Sequence, residues 1–348
     1  MRNSFCFLLS LILLIVSCSD DNDEQSPIPE PTPNPEKVNP YKTGADLSCS
    51  KSLHWENKGL SENYYMLGYG FDATGKYAHP AWVRNKIIDV DSYEADSEGS
   101  ASLFKVLSGS AEINIFGTKK ECLTNLASLA GFDKSEINKH KNLFKATFES
   151  TFVNDTSYPN LDYYYSGYSS VSAIYLARFI YSSRYMNKYL TEAFKSDLQS
   201  LSADQIIIKY GTHLLTEVYV GMRIDYLYRA NSSDRDVLNR WSGYNAFYYF
   251  QIPTSGLTVY KPDIENPQKE NIYIEVVDGR QAKPNSWMID ITNYEGTPVT
   301  FEGWGKTENT DLALVNFTDK ALIPIYELVQ DMTKKEELRK AYEKYLNE

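Results

Sequence analysis

Four histidines, His54, His79, His140 and His213, are the first place to look for chemistry. Their separations match no metal-ligand pattern. The chain has no serine or cysteine nucleophile motif, no phosphate-binding loop and no glycine-rich nucleotide loop. His213 is the residue most easily mistaken for a catalytic base, but no partner group accompanies it in the sequence. The expectation is a protein that is not an enzyme and uses no metal or cofactor.

The cysteines point to a different chemistry. Arg2 is followed by an almost wholly apolar run from Phe5 to Val16, then Ser17 and Cys18. The run is short for a transmembrane helix and suits a signal sequence over residues 1–17. Ile15-Val16-Ser17-Cys18 resembles a bacterial lipobox, so cleavage before Cys18 and acylation of its thiol and amine are expected. The alternative is an ordinary signal peptide with an incidental cysteine. Several acyl chains anchor stably where one is marginal. Cys6 leaves with the signal, whereas Cys49 and Cys122 stay in a compartment where disulfides persist. Their spacing leaves open whether they pair.

The elements that position these residues come next. Ser19 to Glu24 is acidic, a solvated spacer that also resembles surface-export signals of bacterial lipoproteins. Pro27 to Pro35 alternates proline and extends at about 3 Å per residue. Residues 18–40 therefore form a lipidated tether, and residues 41–348 the folded domain. Hydrophobic content of 42% and charged content of 23% suit a globular domain. With 28 tyrosines against 15 phenylalanines, a β-rich and partly wet sheet is expected. A net charge of −11 argues against a nucleic-acid partner and leaves a membrane open.

Strands are expected at Tyr64 to Asp72, Val83 to Val90, Ser110 to Phe116, Tyr163 onward, Thr258 to Tyr260 and Ile272 to Val277. Trp287 to Thr292 and Val299 to Trp304 read as a closing hairpin. Helical spacing marks Lys119 to His140, broken at Gly131. It also marks Leu190 to Ser200, Asp204 to Ile208 with a cap at Ser202, and Lys334 to Leu346. Val237, Trp241, Tyr244 and Tyr248 are spaced for a helix that Pro253 stops. Leu143 to Val153 is legible both ways. Phe144, Phe148 and Phe152 make one helix face, and with Ala146 they also make one strand face. The plain reading is a core segment; the functional reading is a segment that converts from helix to strand. After the polar helices, Tyr210-Gly211-Thr212-His213 turns sharply into an alternating run, Val218, Val220, Met222, Ile224, Tyr226 and Tyr228.

Tyr210-Gly211-Thr212-His213 with Gly221 eight residues after the histidine resembles the signature of the membrane attack complex/perforin (MACPF) family. The resemblance extends to Leu67-Gly-Tyr-Gly-Phe-Asp-Ala-Thr-Gly-Lys-Tyr77, Val276-Val-Asp-Gly-Arg280 and Ile323-Pro-Ile-Tyr-Glu-Leu-Val329. It covers roughly Tyr41 to the C terminus. Two residues depart from the pattern. Leu214 replaces an aromatic, and Met222 stands where a second glycine is usual, restricting φ.

The resemblance implies an α+β fold: a bent, twisted, mainly antiparallel four-stranded sheet flanked by two helical clusters. In pore-forming members each cluster unravels into a β-hairpin, and subunits join into a ring. A lone hairpin in lipid leaves backbone groups unpaired, so insertion requires ring closure. A tilted spanning strand needs about 9–11 residues. Both Gly117 to Thr156 and Tyr228 to Asn271 are long enough for two. Phe144, Ala146, Phe148 and Phe152 are the candidate inserting residues of the first, and Trp241, Tyr244 and Tyr248 of the second. Tyr210, Thr212 and His213 are expected to hydrogen-bond the base of a helical cluster to the sheet bend.

The implied function is a surface-exposed outer-membrane lipoprotein, related to antimicrobial MACPF toxins and released from the producer on vesicles. It would form homo-oligomeric pores in target-cell membranes through a surface receptor. The alternative is a non-lytic adhesin or glycan-binding protein on the same fold.

Overall fold

The computed structural model describes residues 66–96, 101–116, 118–149, 164–180, 186–231, 257–258, 268–277, 286–290, 298–299 and 312–348. All of them belong to one unit, Glu36–Glu348. The strands in chain order are β1 (Tyr69–Phe71), β2 (Val83–Lys86), β3 (Ala101–Phe116), β4 (Tyr164–Phe179), β5 (His213–Leu215) and β6 (Glu217–Asn231). They continue with β7 (Leu257–Thr258), β8 (Gln268–Val277), β9 (Ser286–Asp290), β10 (Pro298–Val299), β11 (Ala313–Phe317) and β12 (Leu322–Pro324).

The long strands β3, β4, β6 and β8 pair antiparallel in that order, and β9 adds to β8. The fold is α+β, as expected. β3 and β4 are each 16 residues long and β6 is 15. At about 3.3 Å per residue these are unusually long strands. Three register slips fall at one row, which marks it as the place where the sheet bends. Ala173 of β4 faces Gly221 of β6, and the register slips between Ala173 and Tyr175. β3 slips against β4 at the same level, between Lys105 and Ser108. β11 slips against β6 between Leu314 and Asn316, beside Gly221. An extra residue in one strand bends it and increases its twist. With the slips aligned, three strands turn together. Here β6 also changes its partner: Val218 to Gly221 pair with β11, while Arg223 to Asn231 pair with β8.

A smaller sheet, β12-β5-β1-β2, sits at the start of β6. Its helices are well specified locally. Ser202 and Gln205 form a capping box for helix Ala203–Tyr210, which buries Ile206, Ile207 and Tyr210. Thr118 and Glu121 do the same for Lys119–Leu129. Asp331 caps the C-terminal helix Met332–Tyr345, which buries Leu338, Ala341 and Tyr342.

Several sequence boundaries are corrected. The first strand begins at Tyr69, because Met66 and Gly68 take positive φ in a preceding turn. The second ends at Lys86, and Val90–Ala95 is a helix capped by Asp89. The third begins at Ala101 rather than Ser110. Of the expected closing hairpin, residues 287–290 lie in β9, which pairs with β8, and Val299 lies in β10, which pairs with β7. Residues 291–292 and 300–304 lie outside the described residues.

Gly70 makes the junction between β1 and helix Ala203–Tyr210 possible. A Cβ there would lie 1.6 Å from the Tyr210 carbonyl oxygen, which is rigid backbone. Gly70→Ala is expected to cost at least about 3 kcal/mol, because the whole strand must shift. Urea unfolding of the mature protein, or its loss from the soluble fraction, would show it.

Candidate functional site

The signature residues form a buried polar junction in the small sheet. Gly211 ends helix Ala203–Tyr210 at φ +78, and a Cβ on it would meet the Phe71 carbonyl at 2.5 Å. The chain therefore turns flat against β1. The Thr212 N–H donates to the Phe71 carbonyl at 2.9 Å, and the Ala73 N–H donates to Thr212 Oγ1 at 2.9 Å. Thr212 Oγ1 is also 2.8 Å from His213 Nδ1 and 3.2 Å from the Phe71 carbonyl. On the far side, His213 Nε2 is 3.0 Å from the Tyr342 hydroxyl of the C-terminal helix. One proton assignment satisfies every group. Tyr342 donates to Nε2, Nδ1–H donates to Thr212, and the Thr212 hydroxyl donates to Phe71. The imidazole is then neutral. Burial, with His140 nearby, lowers its pKa from 6.5 to about 3.

This network corrects part of the expectation. Tyr210 donates to Asp197 Oδ2 at 2.5 Å, tying one helix to the next. Thr212 and His213 hold β1 and the C-terminal helix together, away from the Gly221 row. One link to the first helical cluster is present, where Phe132 packs edge-on against the His213 ring at 5.3 Å.

The connection to the sheet bend comes from residues the sequence reading passed over. Asp72, at the end of β1, is buried. It accepts from Arg84 at 2.8 Å, Tyr345 at 2.9 Å and the Thr74 hydroxyl at 2.7 Å. From this anchor the loop Ala73–His79 runs to the large sheet. Arg223, on β6 just past Gly221, is almost wholly buried. It donates to the carbonyls of Val315 at 2.6 Å, Ala78 at 3.1 Å and Tyr77 at 3.1 Å, and to Asp225 Oδ2 at 2.9 Å. Val315 is the extra residue of the β11 slip. Lys76 Nζ lies 2.7 Å from Glu275 Oε2 and 3.1 Å from the Tyr273 hydroxyl on β8, and His79 Nε2 lies 3.4 Å from Glu275 Oε1.

Burial opposes charge on Glu275, yet Lys76 and His79 outweigh it and hold the carboxyl well below its usual range. Burial likewise opposes the Lys76 charge, and Glu275 and Tyr273 override it and raise the amine. His79 is lowered by burial, with Lys76 and Arg223 adding to the effect against Glu275. Its Nδ1 accepts from the Ala81 N–H at 3.1 Å and so has no room for a second proton.

The same loop holds the first candidate inserting segment. The Phe144 N–H donates to Ala73 at 2.7 Å and the Ala146 N–H to Thr74 at 3.1 Å. Phe144, Ala146 and Phe148 are all buried. They do not share one helix face. Phe144 lies in a turn at φ +55, ahead of the short helix Ala146–Glu149, and packs edge-on against Tyr77 and Phe132. Phe148 instead joins Cys122, Leu227 and Tyr273 against the large sheet. Ala78 is also left-handed, at φ +41. Such residues each cost about 1–2 kcal/mol. Cys122 is a buried free thiol, pushed up by burial. Phe152, Trp241, Tyr244, Tyr248, Cys49 and Cys18 lie outside the described residues. Gly221 does sit at the bend, opposite Ala173 and Ala313, and Met222 beside it is fully buried.

No protein-family profile and no curated protein matches the sequence. Solved structures do. A MAC/perforin-domain protein from Bacteroides thetaiotaomicron VPI-5482 superposes with a TM-score of 0.67 at 14% identity, covering 84% of this chain and 62% of that one. The chain has the MACPF fold. GNIP1Aa from Chromobacterium piscinae superposes with a TM-score of 0.56 at 16% identity, over 81% of this chain and 55% of that one. The chain thus spans less than two thirds of either neighbour. In this fold the Gly221 row is where the register slips align, and the Ala73–His79 loop bonds the segment carrying Phe144 and Ala146. Among the described residues no helix is long and apolar enough to cross a membrane.

The buried His140 and His213 and the mostly covered His79 have lowered pKa values. In the unfolded chain they take up protons near pH 6.5, before the folded chain can. Their stabilisation is therefore fully present above about 6.5 and is lost as pH falls; for His213 the loss continues to about 3. For His213 the slope is roughly 1 kcal/mol per pH unit in its window. Urea midpoints between pH 7.5 and 4 should fall steadily, and His213→Gln should flatten the fall while lowering the plateau.

Proposed function

We propose that this chain is a surface-anchored lipoprotein that oligomerises and inserts β-hairpins into the membranes of competing bacteria. One observation carries the reading. Residues 117–163 join β3 to β4, and residues 232–267 join β6 to β8. Both joints leave the same end of the sheet. Phe116 is paired with Tyr165, and Asn231 with Gln268. Residues added as strand to either pair extend an antiparallel hairpin in existing register. Each connection is long enough for two tilted spanning strands of about 9–11 residues. The MACPF fold and the buried apolar side of Phe144, Ala146 and Phe148 support the same conversion. The Cys18 lipid and the proline-rich tether would present the domain outside the producing cell. The target cell's surface molecule is the partner such a protein needs for selectivity.

A non-lytic adhesin on the same fold is the second reading. It is favoured by Met222, which is fully buried beside Gly221, so unbending the sheet requires repacking a large side chain.

Dye release from vesicles of bacterial outer-membrane lipid, with electron microscopy of the same sample, separates the two. The pore reading expects leakage together with rings. Binding to whole cells of related strains without leakage would replace it with the adhesin. A paired-cysteine lock tests the first segment. In a Cys122→Ala background, Phe148→Cys with Leu227→Cys should abolish leakage when oxidised and restore it on reduction. Leakage indifferent to the lock would remove residues 117–163 from the inserting machinery.

A further inference from the structure

We propose that the loop Ala73–His79 is a strained strap that senses the angle of the sheet bend and releases the first helical segment when that angle opens. The inference rests on the conversion reading above and names the contact that gates it. The strap is fastened on both sides of the bend. Before the bend, Tyr77 donates from its hydroxyl to Asn316 of β11 at 2.7 Å, and Asp72 fixes its root in the small sheet. Beyond the bend, Lys76 and His79 meet Glu275 on β8. Arg223 closes the loop by gripping the strap carbonyls and the slipped Val315 carbonyl together. A change of angle at the Gly221 row moves β8 relative to β11, so the strap cannot keep both sets of contacts.

The strap is also the surface on which the segment rests. The main-chain N–H groups of Phe144 and Ala146 donate to it, and the Tyr77 N–H donates to Thr147 Oγ1 at 3.2 Å. Left-handed residues sit on both sides of this contact, Ala78 in the strap and Phe144 in the turn. Phe144 relaxes to ordinary backbone when its segment becomes strand, because an extended strand has negative φ throughout. Strain localised at a junction between a fixed scaffold and a segment with an alternative fold marks a switch. The ionic part of the grip is buried, so removing the carboxylate leaves an unpaired Lys76 ammonium and a weakened hold beyond the bend.

Hydrogen exchange of the purified mature protein, read by mass spectrometry without any membrane, tests the strap apart from pore formation. Glu275→Gln should speed exchange of the peptides carrying Tyr77, Phe144 and Ala146 at least tenfold, and leave helix Ala203–Tyr210 unchanged. Tyr77→Phe removes the strap's hydroxyl bond to Asn316 of β11 without touching a charge and should give the same local pattern. It also serves if Glu275→Gln fails to fold. Equal acceleration across the whole chain would mean ordinary destabilisation and would overturn the proposal. Unchanged exchange at Phe144 and Ala146 in both variants would do the same. A local effect in a protein that never leaks would keep the strap and discard the pore.

Discussion

The Arg223 guanidinium is the interaction on which this architecture turns. A buried cation is tolerated only if its donors and charge are met. Here one carboxylate, Asp225, and three backbone carbonyls meet them. Those carbonyls belong to a strand that slips out of register and to a loop with a left-handed residue, Ala78. Both are irregular stretches that cannot satisfy their own carbonyls by regular pairing. The arginine thus stabilises the irregularities that make the bend, and the bend in turn aims the arginine. Removing either leaves the other with uncompensated polar groups.

Two separate polar assemblies divide the labour. Thr212, His213 and Tyr342 are neutral, mutually satisfied and remote from the bend. They hold β5, β1 and the C-terminal helix as one rigid block. Lys76, Glu275 and Arg223 are charged, with the neutral His79 beside them, and lie across the bend. Neutral networks add rigidity with little sensitivity to surroundings, whereas buried charge clusters respond sharply to any loss of a partner. A scaffold of the first kind carrying a contact of the second kind suits a protein that must stay folded while one region moves.

Much of the scaffold was legible in the sequence. The cap at Ser202 and the sharp turn at Tyr210-Gly211 marked a helix and its stop, and the structure has both. The alternation of β6 was visible. Phe144, Ala146 and Phe148 are buried as a core segment would be, but the four-residue spacing misled on geometry. A left-handed Phe144 breaks the face, and no local pattern encodes a positive φ at phenylalanine. The strap was missed because its residues pair at sequence distances near 200, as Lys76 does with Glu275. A lysine, a histidine and a tyrosine in a turn read as solvated until the fold brings β8 to them. The pairing of β9 with β8 was missed for the same reason: alternation shows that a run pairs, not with what.

The register at the two hairpin ends bears on speed as well as on geometry. Forming a β-hairpin from a free chain requires a search for the partner and a closure entropy that grows with loop length. At Phe116–Tyr165 and Asn231–Gln268 the partners are already opposite one another. Growth from those pairs is zipping from a preformed nucleus, so each added pair closes only a local loop. In the proposed conversion, the limiting step would then lie in releasing the packed segment around Phe144 and Phe148 rather than in finding the strands.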